Sequence, residues 1–331
     1  MTQIILTGIK PSGTPHLGNY LGMFKPSLEL MKRPNTQCFY FIADIHALNT
    51  IQDPKKMKQL SLEAAATWIA LGLDPEVATL YRESDVPEIS ELYSYIAHTV
   101  PKSVMNMAHA YKAAIQENRE NGREDLDEGV YMGLYNYPML MAADILAFNT
   151  SIVPVGKDQT QHVEIARDIA RRFNVRYGDI LKFPQELVRE EAAIIPGLDG
   201  RKMSKSYDNV IPLFLPEKQM QKLINQIKTD TSSPEDPKDP DTSSLFSLYK
   251  AFSTPDQTEE MRQKYLKGIG WGQVKKELFE IIQLFLAKPY SIYQELILNP
   301  QKIEDILASG AKKARSQAQI TLENVRKALL G

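Results

Sequence analysis

Apolar residues follow two alternating rhythms along the chain. Short runs rich in β-branched and aromatic residues, QIILTGI (3–9), QCFYFIA (37–43), VATLYR (77–82) and TSIVPV (150–155), predict buried strands. Between them lie stretches of helical spacing. The first is PHLGNYLGMFKPSLELMK, where Pro26 predicts a break or kink; others cover 55–71, 88–98, 102–118, the run around YPMLMAADILAF, and 158–173 with Asp158 as its cap. The charge-dense ENRENGREDLDEG (117–129) predicts a solvated loop inside a helical and loop insertion at about 100–130. Beyond about residue 215 strand patterns stop. TDTSSPEDPKDPDTSS (229–244) is a connector, and helical periods run from there to GAKKARSQAQITLENVRKALL, whose basic residues predict a solvated face. Strand and helix taking turns, then helices alone, predict an α/β fold: a doubly wound parallel, Rossmann-like sheet with a second, smaller all-helical domain.

Composition narrows the function classes. The 331 residues are 43% hydrophobic and 24% charged, enough for one large and one small domain. A net charge of −2 gives no bulk attraction to nucleic acid, so such a partner must be argued from local sites. No apolar stretch approaches the roughly 20 residues of a membrane helix, and MTQIILTGIKPSG lacks the order of a signal peptide. Cys38 is the only cysteine, which excludes disulfides and cysteine-based metal sites within the chain, and the five histidines never take the i, i+4 spacing of a helical metal pair. No metal site and a cytoplasmic location are the expectations.

Three stretches carry candidate chemistry. In YPMLMAADILAF (137–148) one carboxylate, Asp144, stands in an apolar helical face, where it must reach water or hold a specific partner. TGIKPSGTPHLGN (7–19) runs from a strand through a Gly/Pro/Ser turn into a helix. Gly8, Gly13 and Gly18 allow close approach of a ligand, and His16 and Asn19 fall on a first turn suited to an anion; an ordinary tight turn would look the same. DGRKMSKSYDN (199–209) sets Lys202 and Lys205 beside Ser204 and Ser206, as a triphosphate losing pyrophosphate would require. The P-loop frame is absent, and a basic surface loop is the plain alternative.

PHLGN resembles the HIGH motif of class I aminoacyl-tRNA synthetases, and KMSKS matches their second motif letter for letter. YPMLMAADIL followed by VPVGKDQTQH, together with GIKPSG, ADIHALN and GWGQVKKEL, resembles the tryptophanyl-tRNA synthetases over nearly the whole chain. The resemblance implies activation of L-tryptophan with ATP and transfer to tRNA(Trp), in a homodimer, with no membrane or DNA partner. Mg²⁺ would arrive with ATP and have no dedicated protein site. It implies that Asp144 accepts the indole N–H, a fitting match because an indole has one donor and no acceptor while an ionised carboxylate only accepts. Met141, Val153 and Val155 would wall the ring, Tyr137 and Gln159 would hold the α-ammonium group, and His46 and Gly8 would line the same pocket. Lys10, Gly18, Asn19, Gly156, Asp158, Lys202, Met203, Ser204 and Lys205 would bind ATP, with His16, Asn19, Lys202 and Lys205 catalytic. His162 and Glu164 read as structural.

The same resemblance implies a catalytic domain over 1–210 containing the 199–209 loop, a helical anticodon-binding domain over 211–300, and a 301–331 helix returning to the catalytic domain. The chain departs from the commonest bacterial pattern at His16, where many members have threonine, and at Lys10, where glutamine is frequent. Lys112 aligns with one family lysine, a second has no counterpart, and the four-cysteine cluster of some members is missing. A tyrosyl enzyme, a HIGH-type nucleotidylyltransferase and a catalytically silent paralogue are the alternative readings.

Overall fold

The computed structural model describes residues 2–188 and 195–331, the side chain of Asp158 excepted. Five parallel strands, β1 (Gln3–Ile9), β2 (Thr36–Ile42), β3 (Ala78–Arg82), β4 (Ile152–Val155) and β5 (Gln185–Val188), form one sheet in the order β3-β2-β1-β4-β5. The order reverses between β1 and β4, and the carboxyl ends of these strands open the crevice in which such sheets bind ligands. The apolar runs give β1 to β4. They miss β5, whose QELV has only two apolar residues after two polar ones and lies partly exposed at the sheet edge.

After β1 the chain enters one continuous helical run. It comprises a first turn, α1 (Leu17–Asn19), a π-turn over Tyr20–Phe24, and α2 (Lys25–Met31). The expected break at Pro26 is this wider turn, where the Lys25 N–H reaches the Tyr20 carbonyl and the proline misfit is absorbed. The short α3 (Asp44–Ala47) follows β2. Asp53 then caps α4 (Pro54–Ala70) by accepting the Lys55 N–H at 2.9 Å. After α5 (Pro87–Ala97), the single helix expected over 102–118 is two, α6 (Lys102–Asn106) and α7 (His109–Glu120), parted where Ala108 turns extended. The expected loop at 117–129 is held rather than free: Asn118 is buried and donates to the Leu126 and Glu128 carbonyls, each at 2.8 Å.

The carboxylate-bearing helix is α8 (Met132–Ala147). α9 (Thr160–Tyr177) begins after a 3₁₀ turn at Lys157–Gln159, so its N-cap position is Gln159 and not the expected Asp158. The C-terminal part is helical throughout its regular elements: α10 (Glu217–Gln226), α11 (Ser244–Phe252), α12 (Pro255–Lys267), α13 (Trp271–Leu298) and α14 (Pro300–Leu330). Tyr20 of the π-turn packs on Phe252 and Phe285, and one apolar cluster runs from Ile5, Phe24 and Trp68 into Tyr265 and Leu278. Cys38 is buried on β2 within this cluster. A second cluster fills the other face of the sheet around Phe41, Tyr81, Phe148 and Phe173.

α14 lies against the edge strand β3 so closely that a Cβ at Gly310 would stand 1.8 Å from the Leu80 carbonyl oxygen. Its ends are pinned by Arg82–Glu304 at 2.8 Å, Arg315–Glu88 at 3.0 Å and Arg326–Glu91 at 2.6 Å. Of its basic residues Lys312, Lys313, Arg315 and Lys327 are exposed, as the spacing predicts, while Arg315 and Arg326 also make the ion pairs just named. No described helix is long and apolar enough to cross a membrane.

Candidate active site

A cavity of about 610 Å³ opens at the carboxyl ends of β1 and β4, within the range of small-molecule sites. Helix α8 contributes Tyr137, Met141 and Asp144, spaced i, i+4 and i+7 on one face. β4 contributes Val153 and Val155, two residues apart and so on one side of the strand. Gly8, Lys10, His46, Gly156 and Gln159 complete the set of expected residues that line it. Gly8 is obligatory by packing: an added Cβ would meet the Phe41 ring at 2.4 Å.

Asp144 is fully buried. Its Oδ2 lies 3.0 Å from His46 Nε2, and its Oδ1 has no hydrogen-bond partner. Burial, with Asp44 as a second cause, pushes the Asp144 carboxyl well above the usual range, while desolvation lowers His46. His46 is thus a neutral ring that donates Nε2–H to Asp144. The isolated carboxylate expected from the sequence has company. Glu83, also fully buried, places Oε1 3.9 Å from the same nitrogen, and burial followed by Asp144 raises it to about 9. Asp44 brings the two segments together: its carboxylate accepts the Ser84 N–H at 3.0 Å and the Ser84 hydroxyl at 2.5 Å, tying α3 to the turn after β3. No sequence signal marked Glu83, because RESD reads as a solvated charge run.

At the amine end, the Tyr137 hydroxyl bonds His162 Nε2, and His162 Nδ1 lies 2.9 Å from Gln159 Oε1. The histidine read as structural therefore links the two residues expected to hold the α-ammonium group.

His16, Gly18, Asn19, Met203, Ser204 and Lys205 form a second cluster outside the cavity lining, where the two motifs meet. The Leu17 N–H donates to the Ile211 carbonyl and the Leu213 N–H to the Pro15 carbonyl, both at 2.9 Å. The Gly18 N–H donates to Met203 Sδ at 3.3 Å, and a Cβ at Gly18 would press within 3.0 Å of the His16 ring. Lys205 Nζ donates to the Gly13 carbonyl at 2.8 Å. His16 and Asn19 make a reciprocal cap: the Asn19 N–H donates to His16 Nδ1 at 3.3 Å, and the His16 N–H to Asn19 Oδ1 at 3.1 Å. Burial, then Lys205, lowers His16 to about 4, so it stands neutral with Nε2–H as its one donor. Ser204 caps the 3₁₀ turn Lys205–Tyr207.

Asn209, the buried last residue of the DGRKMSKSYDN stretch, organises this loop. It accepts the Ser204 N–H at 2.8 Å and donates to Asp199 at 2.7 Å and to the Lys202 carbonyl at 3.1 Å. Lys202 and Lys112 are exposed, and Lys112 does not line the cavity. The Asp158 side chain lies outside the described residues.

Residues 2–287 match the family described as tRNA synthetases class I (W and Y). The chain belongs to that family. Among its relatives, the tryptophan–tRNA ligase of Pseudomonas putida is 51% identical over 332 residues, covering 99% of this chain and 74% of that protein. The tryptophan–tRNA ligase of Neisseria meningitidis is 50% identical over 325 residues, covering 98% of this chain and 97% of that protein. A solved family structure, tryptophanyl-tRNA synthetase from Campylobacter jejuni complexed with ADP and tryptophan, superposes with a TM-score of 0.89 at 41% identity, covering 98% of this chain and 99% of that one.

Proposed function

We propose that the chain is a tryptophan–tRNA ligase, using ATP to form tryptophanyl-adenylate and transferring the acyl group to tRNA(Trp). Full-length identity near one half to ligases of that name supports the reading. The observation that carries it is Asp144: a buried carboxylate in an apolar cavity, one oxygen held by His46 and the other without a hydrogen-bond partner. An indole N–H supplies the missing donor, and its rings fill the space between Met141, Val153 and Val155. Tyr137 and Gln159 hold the α-ammonium, with Gly8 and His46 closing the pocket.

ATP lies over Gly18, Asn19 and Gly156, with Lys10 at the cavity and Met203, Ser204, Lys202 and Lys205 at the triphosphate. Asp158 belongs to the same assignment. The tryptophan carboxylate attacks the α-phosphorus, the bond to the bridging oxygen breaks, and pyrophosphate departs with the electron pair. A terminal ribose hydroxyl of tRNA then attacks the acyl carbon and releases AMP. The carboxylate is already ionised, so the first step needs no protein base. The chain contributes alignment and positive charge where charge accumulates, through Lys202, Lys205 and the neutral Nε2–H of His16. Mg²⁺ would travel with the nucleotide, held by its phosphate oxygens; the phosphate end of the site is built from lysines and N–H donors, which complement the anion and leave the cation to it.

ATP–pyrophosphate exchange with each of the twenty amino acids tests the assignment. Tryptophan alone should support it, and Lys205→Ala should lower the exchange rate about 10²-fold with little change in tryptophan binding. Exchange driven by tyrosine, or none with any amino acid, would overturn it.

In this reading 1–210 is the catalytic domain, 211–300 reads the anticodon, and 301–331 packs back on the catalytic domain. The ion pairs of α14 with Glu88 and Glu91 support the last point. A cytoplasmic location follows from a role in translation. Leu48, Met107, Tyr131 and Met132 leave large apolar side chains exposed in and beside the insertion at about 100–130, and we assign them to the interface of a homodimer. Sedimentation at micromolar concentration should give twice the chain mass; a monomer would sink that assignment.

A further inference from the structure

Glu83 has no role in the reaction as described, yet it is among the most thoroughly enclosed carboxyls in the chain. It is fully buried, and neither oxygen has a hydrogen-bond partner. It shares His46 Nε2 with Asp144, at 3.9 Å against 3.0 Å. Charges face this group from four segments. Asp144 comes from α8; His46 and Asp44 come from α3; Tyr81, its hydroxyl buried and without a hydrogen-bond partner, lies on β3; and Lys10 acts on His46 from the loop after β1. Of these only Lys10 is a permanent cation, and it lines the cavity rim. Two enclosed carboxyls sharing one neutral imidazole cannot both ionise, because like charges in a desolvated site repel. The geometry decides which one keeps the proton. Asp144 has the imidazole N–H at hydrogen-bond distance and a second oxygen at the cavity, and Glu83 has neither, so when an indole N–H arrives as second donor the charge settles on Asp144.

We infer that Glu83 is a positioning residue for amino-acid recognition: held as the neutral acid behind His46, it leaves the single negative charge of the pair on Asp144 for the indole N–H. The inference rests on the tryptophan reading of the cavity. The same three side chains bring their ligand atoms within 4.8 Å of one another, a spacing that a divalent cation could bridge. A cation there would occupy the acceptor oxygen and turn positive charge toward the indole N–H, so a proton is the occupant compatible with the pocket.

The experiment compares wild type with Glu83→Gln, an uncharged near-isostere, by exchange kinetics and thermal melting from about pH 6 to 10. At pH 7 the variant's KM for tryptophan should stay within about 3-fold of wild type, since glutamine mimics the protonated acid. The substrate's own ammonium titrates equally in both proteins, so the ratio of the two KM values is the readout. It should climb on the wild-type side as pH passes about 9, where Glu83 ionises beside Asp144. Melting supplies a reading independent of activity. A carboxyl raised on folding loses stability for the native state as pH climbs from its ordinary range through its raised value. The Tm advantage of Glu83→Gln should therefore grow over that window.

A flat KM ratio with a flat Tm difference overturns the inference. So does a folded Glu83→Gln that loses tryptophan affinity more than about tenfold at pH 7, or a wild-type tryptophan KM that responds to added zinc with Mg²⁺–ATP held saturating. Should Asp144→Ala leave the tryptophan KM unchanged while the Tm difference still grows with pH, the pocket reading fails and the protonation of Glu83 stands.

Discussion

Replacing Asp144 by alanine is expected to lower kcat/KM for tryptophan about 10³-fold, because a site built around a hydrogen bond discriminates steeply when that bond is lost. Three losses combine. The indole N–H enters an apolar cavity with no acceptor, the His46 Nε2–H loses its partner at 3.0 Å, and the removed carboxylate leaves a void behind Met141. The ATP KM should move little, since the cluster around Gly18, Met203 and Lys205 lies outside the cavity lining. Exchange kinetics at saturating ATP, with a melting curve to exclude unfolding, make the measurement. A fall of less than tenfold would mean that the indole nitrogen is bound elsewhere.

Gly310→Val is expected to be the most damaging single change to stability, costing more than about 4 kcal/mol. Most glycines in helices can accept a side chain pointed at solvent, but this one sits where α14 lies on the backbone of β3. The new Cβ would start 1.8 Å from the Leu80 carbonyl oxygen, and backbone has no rotamer through which to yield. The helix must lift away from the strand. That would strain the Arg315–Glu88 and Arg326–Glu91 pairs and uncover an edge of the sheet. Chemical denaturation should show the loss as a lower midpoint. A variant within 1 kcal/mol of wild type, a difference on the scale of ordinary surface substitutions, would mean that the packing there is looser than described.

What could be read from sequence divides along physical lines. β1 to β4 are visible because a strand enclosed on both faces must be apolar at nearly every position; β5, at the edge with Gln185 exposed and Glu186 paired to Arg167, carries no such mark. The break between α6 and α7 falls at Met107–Ala108, residues that either continue a helix or end it, so only tertiary contacts set the boundary. Asp144 stands out because its neighbours are apolar. Glu83 hides because its neighbours are Arg82, Ser84 and Asp85, and its burial comes from α3 and α8, distant in sequence. The bridging roles of Asn209 and His162 hide for a related reason: they depend on which partners the fold brings to them, and no spacing along the chain encodes that.

The enclosed thiol of Cys38 has a practical corollary. With the one native sulfhydryl sealed between the central sheet and the helices on one of its faces, a thiol-reactive dye or spin label will modify an engineered surface position and leave the natural one alone. Motions of the lysine-bearing loop can therefore be followed in the wild-type background, without first stripping the protein of cysteine.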